Sequence, residues 1–85
     1  MAGVNRRKLL LRITQSPTNV RFGDMVDLVQ AFGFRLKRVS GSHHIFQHSD
    51  LPESLTLQEV HGQAKPYQIR QFLRIAERYN LVMKD

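Results

Sequence analysis

The stretch "FRLKRVSGSHHIFQHS", from Phe34 to Ser49, holds the pattern that decides the fold. Apolar and basic residues alternate at its start, which is the two-residue period of a strand with one buried face. The Gly-Ser pair at 41–42 predicts a turn, and "HHIFQHS" predicts a second strand that runs back along the first. The segment "SLTLQEV", residues 54–60, alternates in the same way and predicts a third strand of an antiparallel meander.

Helical patterns flank this meander on both sides. The segment "VNRRKLLLRI", residues 4–13, predicts a short helix that is stopped by the turn cluster "TQSPTN". A second helix is closed by Gly33, and its apolar stripe consists of Phe22, Met25, Val26, Val29 and Phe32. The segment "KPYQIRQFLRIAERYN", residues 65–80, predicts a last helix. This order predicts an α+β sandwich whose two longer helices cover one face of the sheet and leave the other face exposed. All five phenylalanines are predicted to lie in the core of this sandwich: Phe22, Phe32, Phe34, Phe46 and Phe72.

Length and composition exclude several classes of protein. Eighty-five residues make one domain, too small for a buried cofactor. The chain has no cysteine, which excludes disulfides and thiolate metal sites. No run approaches the ~18 apolar residues of a membrane span, and the apolar run near the start is too short for a signal peptide. We therefore expect a cytoplasmic protein that makes no contact with a membrane.

The net charge of +6 is unevenly distributed. Residues 1–21 carry five basic side chains and no acid, and residues 34–40 carry three more basic side chains. A pI near 10.6 favours a polyanionic partner, either nucleic acid or an acidic protein surface. The plain alternative is a basic, solvated surface, on which Arg74 and Arg78 pair with Glu77 or with the end of the last helix.

Three segments together carry a family resemblance: "AFGF" at 31–34, "GSHHIFQH" at 41–48 and "AKPYQIRQFLRIAERYNL" at 64–81. The chain resembles the HicA-type toxins, messenger-RNA interferases of the YcfA-like family. The resemblance implies an α-β-β-β-α fold like that of double-stranded-RNA-binding domains, with a three-stranded antiparallel sheet and helices on one face. It further implies a HicA-like domain over residues 22–85, preceded by a basic helix and turn extension over residues 1–21.

The same resemblance implies a function and partners. HicA-type toxins cleave single-stranded messenger RNA and are neutralised by a HicB-type antitoxin. We therefore expect an endoribonuclease that is a monomer when free and a hetero-oligomer with its antitoxin, and that needs no cofactor. Two alternatives remain open from the sequence: a non-catalytic RNA-binding module, and a decayed toxin that acts only through an antitoxin partner.

The family's catalytic histidine corresponds to His43, and its turn glycine corresponds to Gly41. Imidazole suits the task, because its ordinary pKa of about 6.5 allows it to serve as base or acid in RNA cleavage. Gly41 can adopt a backbone conformation closed to other residues and let a phosphate approach the turn. The residues predicted to bind RNA are Lys37, Arg38, Ser42, Lys65 and Arg70.

The other histidines have separate interpretations. In a regular strand His43 and His44 point to opposite faces, so His44 either supports the site or the antitoxin contact, or supplies the missing acid. His48 is expected to point to solvent or to the loop, and His61 is expected to lie exposed in a loop. A metal site is not expected, since His44 and His48 would lie ~13 Å apart along a strand.

Overall fold

The computed structural model describes residues 5–84. The helices are α1 (Arg6–Gln15), α2 (Phe22–Ala31) and α3 (Pro66–Arg78), and the strands are β1 (Phe34–Ser40), β2 (His43–His48), β3 (Ser54–Val60) and β4 (Gln63–Ala64). The strands form one antiparallel sheet in the order β1-β2-β3-β4. The α+β class and the predicted order of helices and strands are confirmed. Val4, the first residue of the segment predicted for α1, lies outside the described residues.

The sheet has one strand more than predicted. His61 and Gly62 both adopt positive φ angles, 53° and 77°, and this reverses the chain directly after β3. Two consecutive positive φ angles match the twist of a tight hairpin, so Gln63 and Ala64 pair back onto Glu59 and Val60. The three predicted strands are confirmed, and β4 adds a fourth that is too short for sequence alternation to reveal.

The core lies between the sheet and the helices. All five phenylalanines are buried, as predicted, and they pack with aliphatic side chains from α1, α2, β3 and α3. Leu55 and Leu57 of β3 and Ile69 of α3 are fully buried in this layer. Because β3 buries its leucines under α3, Ser54, Thr56 and Gln58 project from the opposite face, which no helix within residues 5–84 covers.

Helix α1 is integral to the same core. Leu9 and Ile13 are buried in the hydrophobic cluster, and Arg6 makes a two-pronged ion pair with Asp27 of α2 at 2.8 and 2.9 Å. The hydrogen bonds from Arg6 lower the pKa of the Asp27 carboxyl; desolvation opposes this effect, and the guanidinium charge adds to it. Within residues 5–84, no helix is both long and apolar enough to cross a membrane.

Candidate active site

The turn between β1 and β2 is a two-residue hairpin loop made of Gly41 and Ser42. Ser40 pairs with His43 on either side of it, and Gly41 adopts a φ of 60°. Glycine at the first loop position with positive φ suits a tight hairpin, whereas other residues are strained there. A Cβ at Gly41 would meet nothing within 4 Å, so the glycine serves the backbone angle and leaves the turn open to a ligand.

The hairpin is tied to the third strand. The amide of Glu59 donates to the carbonyl of Ser42 at 3.0 Å, and His43 pairs with Gln58 across the ladder. On its other side Gln58 donates its backbone N–H to the side-chain Oε1 of Gln68 in α3 at 2.5 Å. This chain of contacts fixes the backbone of His43 relative to both neighbouring strands and to the start of α3.

His43 lies on the uncovered face of the sheet. Its neighbours on that face are Ser40 and Gln58, which are its partners in the two ladders. The side chain is exposed, and no hydrogen bond or ion pair restrains it within residues 5–84. An exposed imidazole on a rigid strand beside an open turn can exchange a proton with a bound phosphodiester.

The next histidine points the other way, as strand alternation predicts. The ring of His44 packs against Phe22 at 4.6 Å between centroids, on the helix side of the sheet. Its Nδ1 also lies 3.4 Å from the Ser42 carbonyl, which is a long contact. Because the sheet separates the two rings, a phosphate bound at His43 would lie out of reach of His44.

His48 was expected to point to solvent or to the loop, and only the loop direction is confirmed, because the ring is buried. Its side chain is only 7% exposed and packs edge-on against Phe34 at 5.3 Å. Its Nδ1 accepts a hydrogen bond from the backbone amide of Asp50 in the following loop at 3.1 Å. The two-residue period explains the placement, because His48 shares its face with the buried Phe46. His61 is exposed in the β3–β4 turn, as expected.

The predicted RNA-binding residues fall into two groups. Ser42 directly precedes His43, Arg38 pairs with Ile45 two residues beyond His43 on β2, and Lys37 is the unpaired residue before Arg38. Lys65 lies at the start of α3, beyond β3 from His43, and Arg70 lies on the exposed surface of α3 in the helix layer. The structure therefore brings the first group to the histidine, places Lys65 across the sheet, and leaves Arg70 in a different layer.

One basic residue of this face was missed from the sequence. Arg35 pairs with Gln47, on the same face as His43, and is exposed. Its alternation with the buried Phe34 was the signal that could have identified it. Arg35, Lys37 and Arg38 form no ion pair with any described residue, so all three charges are available to a ligand.

The alternative to a binding surface was that the basic residues of α3 are solvated and pair with nearby acids, and Arg78 partly fits it. Arg78 pairs with an acid, but this acid is Glu53 of the β2–β3 loop at 2.6 Å, not Glu77. Tyr79 donates its hydroxyl to the same carboxylate at 2.9 Å. The hydrogen bond with Tyr79 and the charge of Glu53 raise the pKa of Arg78. No three His, Asp or Glu side chains in the described part of the chain lie close enough together to hold a metal ion.

Comparison with known proteins identifies the family. The model of the HicA toxin of bacterial toxin–antitoxin systems matches residues 22–77, a range that covers α2, the whole sheet and all but the last residue of α3. No curated protein and no solved structure matches the chain. The family match spans 56 of the 85 residues, counted from 22 through 77, and includes the hairpin of Gly41 and His43. The chain therefore belongs to the HicA family of toxins, which form one half of bacterial toxin–antitoxin systems.

Proposed function

We propose that the protein is the toxin of a type II toxin–antitoxin system and acts as a metal-independent endoribonuclease on single-stranded messenger RNA. The observation that carries the proposal is the exposed His43, which stands beside the open Gly41 turn and next to unpaired cations. A basic, uncovered sheet face suits a polyanion, and an unrestrained imidazole suits proton transfer. The neutralising partner would be a HicB-type antitoxin in the cytoplasm, where messenger RNA is found.

In this mechanism His43 takes the proton from a ribose 2′-hydroxyl, or returns a proton to the leaving oxygen. The 2′-oxygen attacks the adjacent phosphorus, the bond from phosphorus to the 5′-oxygen breaks, and that oxygen gains a proton. The products are a 2′,3′-cyclic phosphate and a 5′-hydroxyl end. Lys37 and Arg38 would stabilise the additional negative charge on the phosphorane, as cations do at other phosphoryl centres.

The family match over residues 22–77 supports a proposal for the domain organisation. We propose that residues 22–85 form the HicA domain and that residues 1–21 are an extension of it, the two folding as a single unit. The burial of Leu9 and Ile13 in the common core supports this organisation for the described part of the extension. Residues 1–4 and residue 85 lie outside the described residues.

The test is cleavage of a labelled single-stranded RNA by purified protein with a chelator present. His43→Gln should reduce the cleavage rate by about 10²–10⁴-fold, the usual contribution of a general acid or base. His61→Gln is the matched control, because it removes another exposed imidazole and should leave the rate unchanged. Equal rates for both variants and the wild type would reject the assignment of His43.

The same assay separates the two alternatives. A wild-type protein that binds RNA but does not cut it would be a binding module, since related folds bind RNA through shape and phosphate contacts alone. A protein that neither binds nor cuts RNA, yet forms a complex with an antitoxin, would be a decayed toxin. Formation of the HicB-type complex is measured by size-exclusion chromatography, with a monomer expected for the free protein.

A further inference from the structure

The uncovered face of the sheet is chemically asymmetric from one edge to the other. Its first strand, β1, contributes the cations Arg35 and Arg38. The facing positions of the third strand carry only neutral hydrogen-bonding side chains, which are Ser54, Thr56 and Gln58. Between them β2 contributes Gln47, Ile45 and His43. Positive charge is therefore concentrated along one edge of this face, and neutral donors and acceptors lie along the other.

A β-bulge strengthens the charged edge. The register between β1 and β2 shifts between Leu36 and Arg38, so Lys37 is an extra residue and the next pair is Arg38 with Ile45. A bulge sets two residues of one strand against one residue of its neighbour. Here the unpaired Lys37 and its neighbour Arg38 are both cations. Three cations thus occur within four residues of the edge strand, none of them paired with a described acid.

Among the described residues, no phenylalanine or tyrosine side chain lies on this face. The five phenylalanines are buried in the core on the helix side. Tyr67 and Tyr79 belong to α3 and to its end, so neither lies on a strand. Proteins that bind single strands by stacking present aromatic rings to successive bases. Among the described residues this sheet instead offers amide and hydroxyl groups, which read base edges by hydrogen bonds.

These observations indicate how a bound RNA strand is oriented on the uncovered face of the sheet. Resting on the proposed function, we propose that single-stranded RNA lies extended along β1 and β2, with its phosphates over Arg35, Lys37 and Arg38 and its bases turned towards Gln47 and β3. Arg35 pairs with Gln47, four residues from His43 along β2, which corresponds to about 13 Å. The charged row therefore guides a short run of nucleotides to a scissile phosphate at the hairpin.

The first experiment measures how salt affects binding without cleavage. The probe is single-stranded RNA with 2′-O-methyl groups, which removes the nucleophile, and binding is followed by fluorescence anisotropy at 50 and 200 mM salt. The logarithm of the binding constant falls linearly with the logarithm of the salt concentration. For a single strand, each lost phosphate contact makes this slope shallower by about 0.7. Arg35→Gln should thus lose about 2.6-fold more affinity at 50 mM than at 200 mM, and the Arg35→Gln/Arg38→Gln protein about 7-fold more.

Matched variants separate local contacts from net charge and from base recognition. Arg74→Gln removes an equally charged exposed residue from α3 and should keep the wild-type slope. Gln47→Ala should change the relative affinity for RNAs of different sequence and also keep the slope, because a contact to a base releases no counterion. A shallower salt slope for Gln47→Ala together with an unchanged slope for Arg35→Gln would overturn the proposed placement of the phosphates over β1 and of the bases towards β3.

Other outcomes also count against the inference. If Arg35→Gln and the double variant bind like the wild type, the cations and the bulge only protect an exposed sheet edge from pairing with other strands. Tighter binding to a duplex of the same sequence would overturn the extended single strand. If the wild-type protein cuts RNA and the β1 variants bind RNA as tightly as it does, only this inference is refuted. If the wild-type protein neither binds nor cuts RNA, both this inference and the proposed function are refuted.

Discussion

Replacing Gly33 by Ala is expected to destabilise the protein more than the same change at Gly41. Both glycines have positive φ angles, 99° and 60°, so each alanine incurs a backbone cost of about 1–2 kcal/mol. At Gly33 the added Cβ would also lie 2.8 Å from Nε2 of His48, whereas at Gly41 it would meet nothing within 4 Å. The difference between the two sites therefore isolates one steric contact.

The contact at Gly33 is costly because the His48 ring has little room to move. The ring is buried, packs against Phe34, and is held through Nδ1 by the amide of Asp50. Overpacking of this kind costs about 1–3 kcal/mol. The free energy of unfolding should thus fall by about 2–5 kcal/mol for Gly33→Ala and by about 1–2 kcal/mol for Gly41→Ala.

Urea denaturation followed by circular dichroism measures both values. The His48→Ala background supplies the control, because removing the ring removes the clash and leaves only the backbone cost. The coupling between the two changes should be about 1–3 kcal/mol. The reasoning is refuted if Gly33→Ala costs no more than Gly41→Ala, or if its cost is the same with and without the His48 ring.

Three further changes probe the rest of the fold. Ile13→Ala should lower the free energy of unfolding by about 2–5 kcal/mol because Ile13 is fully buried. Leu11→Ala is the control, since Leu11 is 66% exposed and its loss should cost less than about 0.5 kcal/mol. Similar urea midpoints for the two variants would contradict the packing of α1 into the core. Asp27→Asn should cost about 0.2–1 kcal/mol at pH 7 through its pair with Arg6. Since the pKa of Asp27 is lowered in the folded protein, this cost should vanish as the pH falls below about 4, and a cost independent of pH between 2 and 7 would contradict it. Gln68→Ala should cost about 1–3 kcal/mol, because a β3 amide loses its acceptor, and Gln68→Glu, which keeps an acceptor, should restore most of the loss in thermal unfolding.

Strand alternation accounts for much of what could be predicted about the site. It placed Phe34 and Phe46 in the core and set His43 and His44 on opposite faces, and the structure confirms both. The Gly-Ser pair marked the hairpin because few other residues tolerate the required backbone angle. The family resemblance, confirmed by the match over residues 22–77, directed attention to His43.

Strand alternation also indicated the burial of His48, because His48 shares its face with Phe46; the expectation of a solvent-exposed ring gave its polarity more weight than this period. The other differences arose where the local pattern carries no signal. The partner of Arg78 is Glu53, which lies 25 residues away and is brought near only by folding of the β2–β3 loop against α3. The strand β4 has two residues, too few for a period to appear.

The sequence by itself determined the helices, the three longer strands, the core phenylalanines and the family of this protein. These properties depend on periodicity and on turn residues, which act between neighbours along the chain. Only the tertiary structure decided that β1 contains a bulge at Lys37, beside the pair of Arg38 with Ile45, and that Arg35 lines the same face as His43. Register and shared faces arise from pairing between distant segments, and a shift of one residue reverses every side chain beyond it.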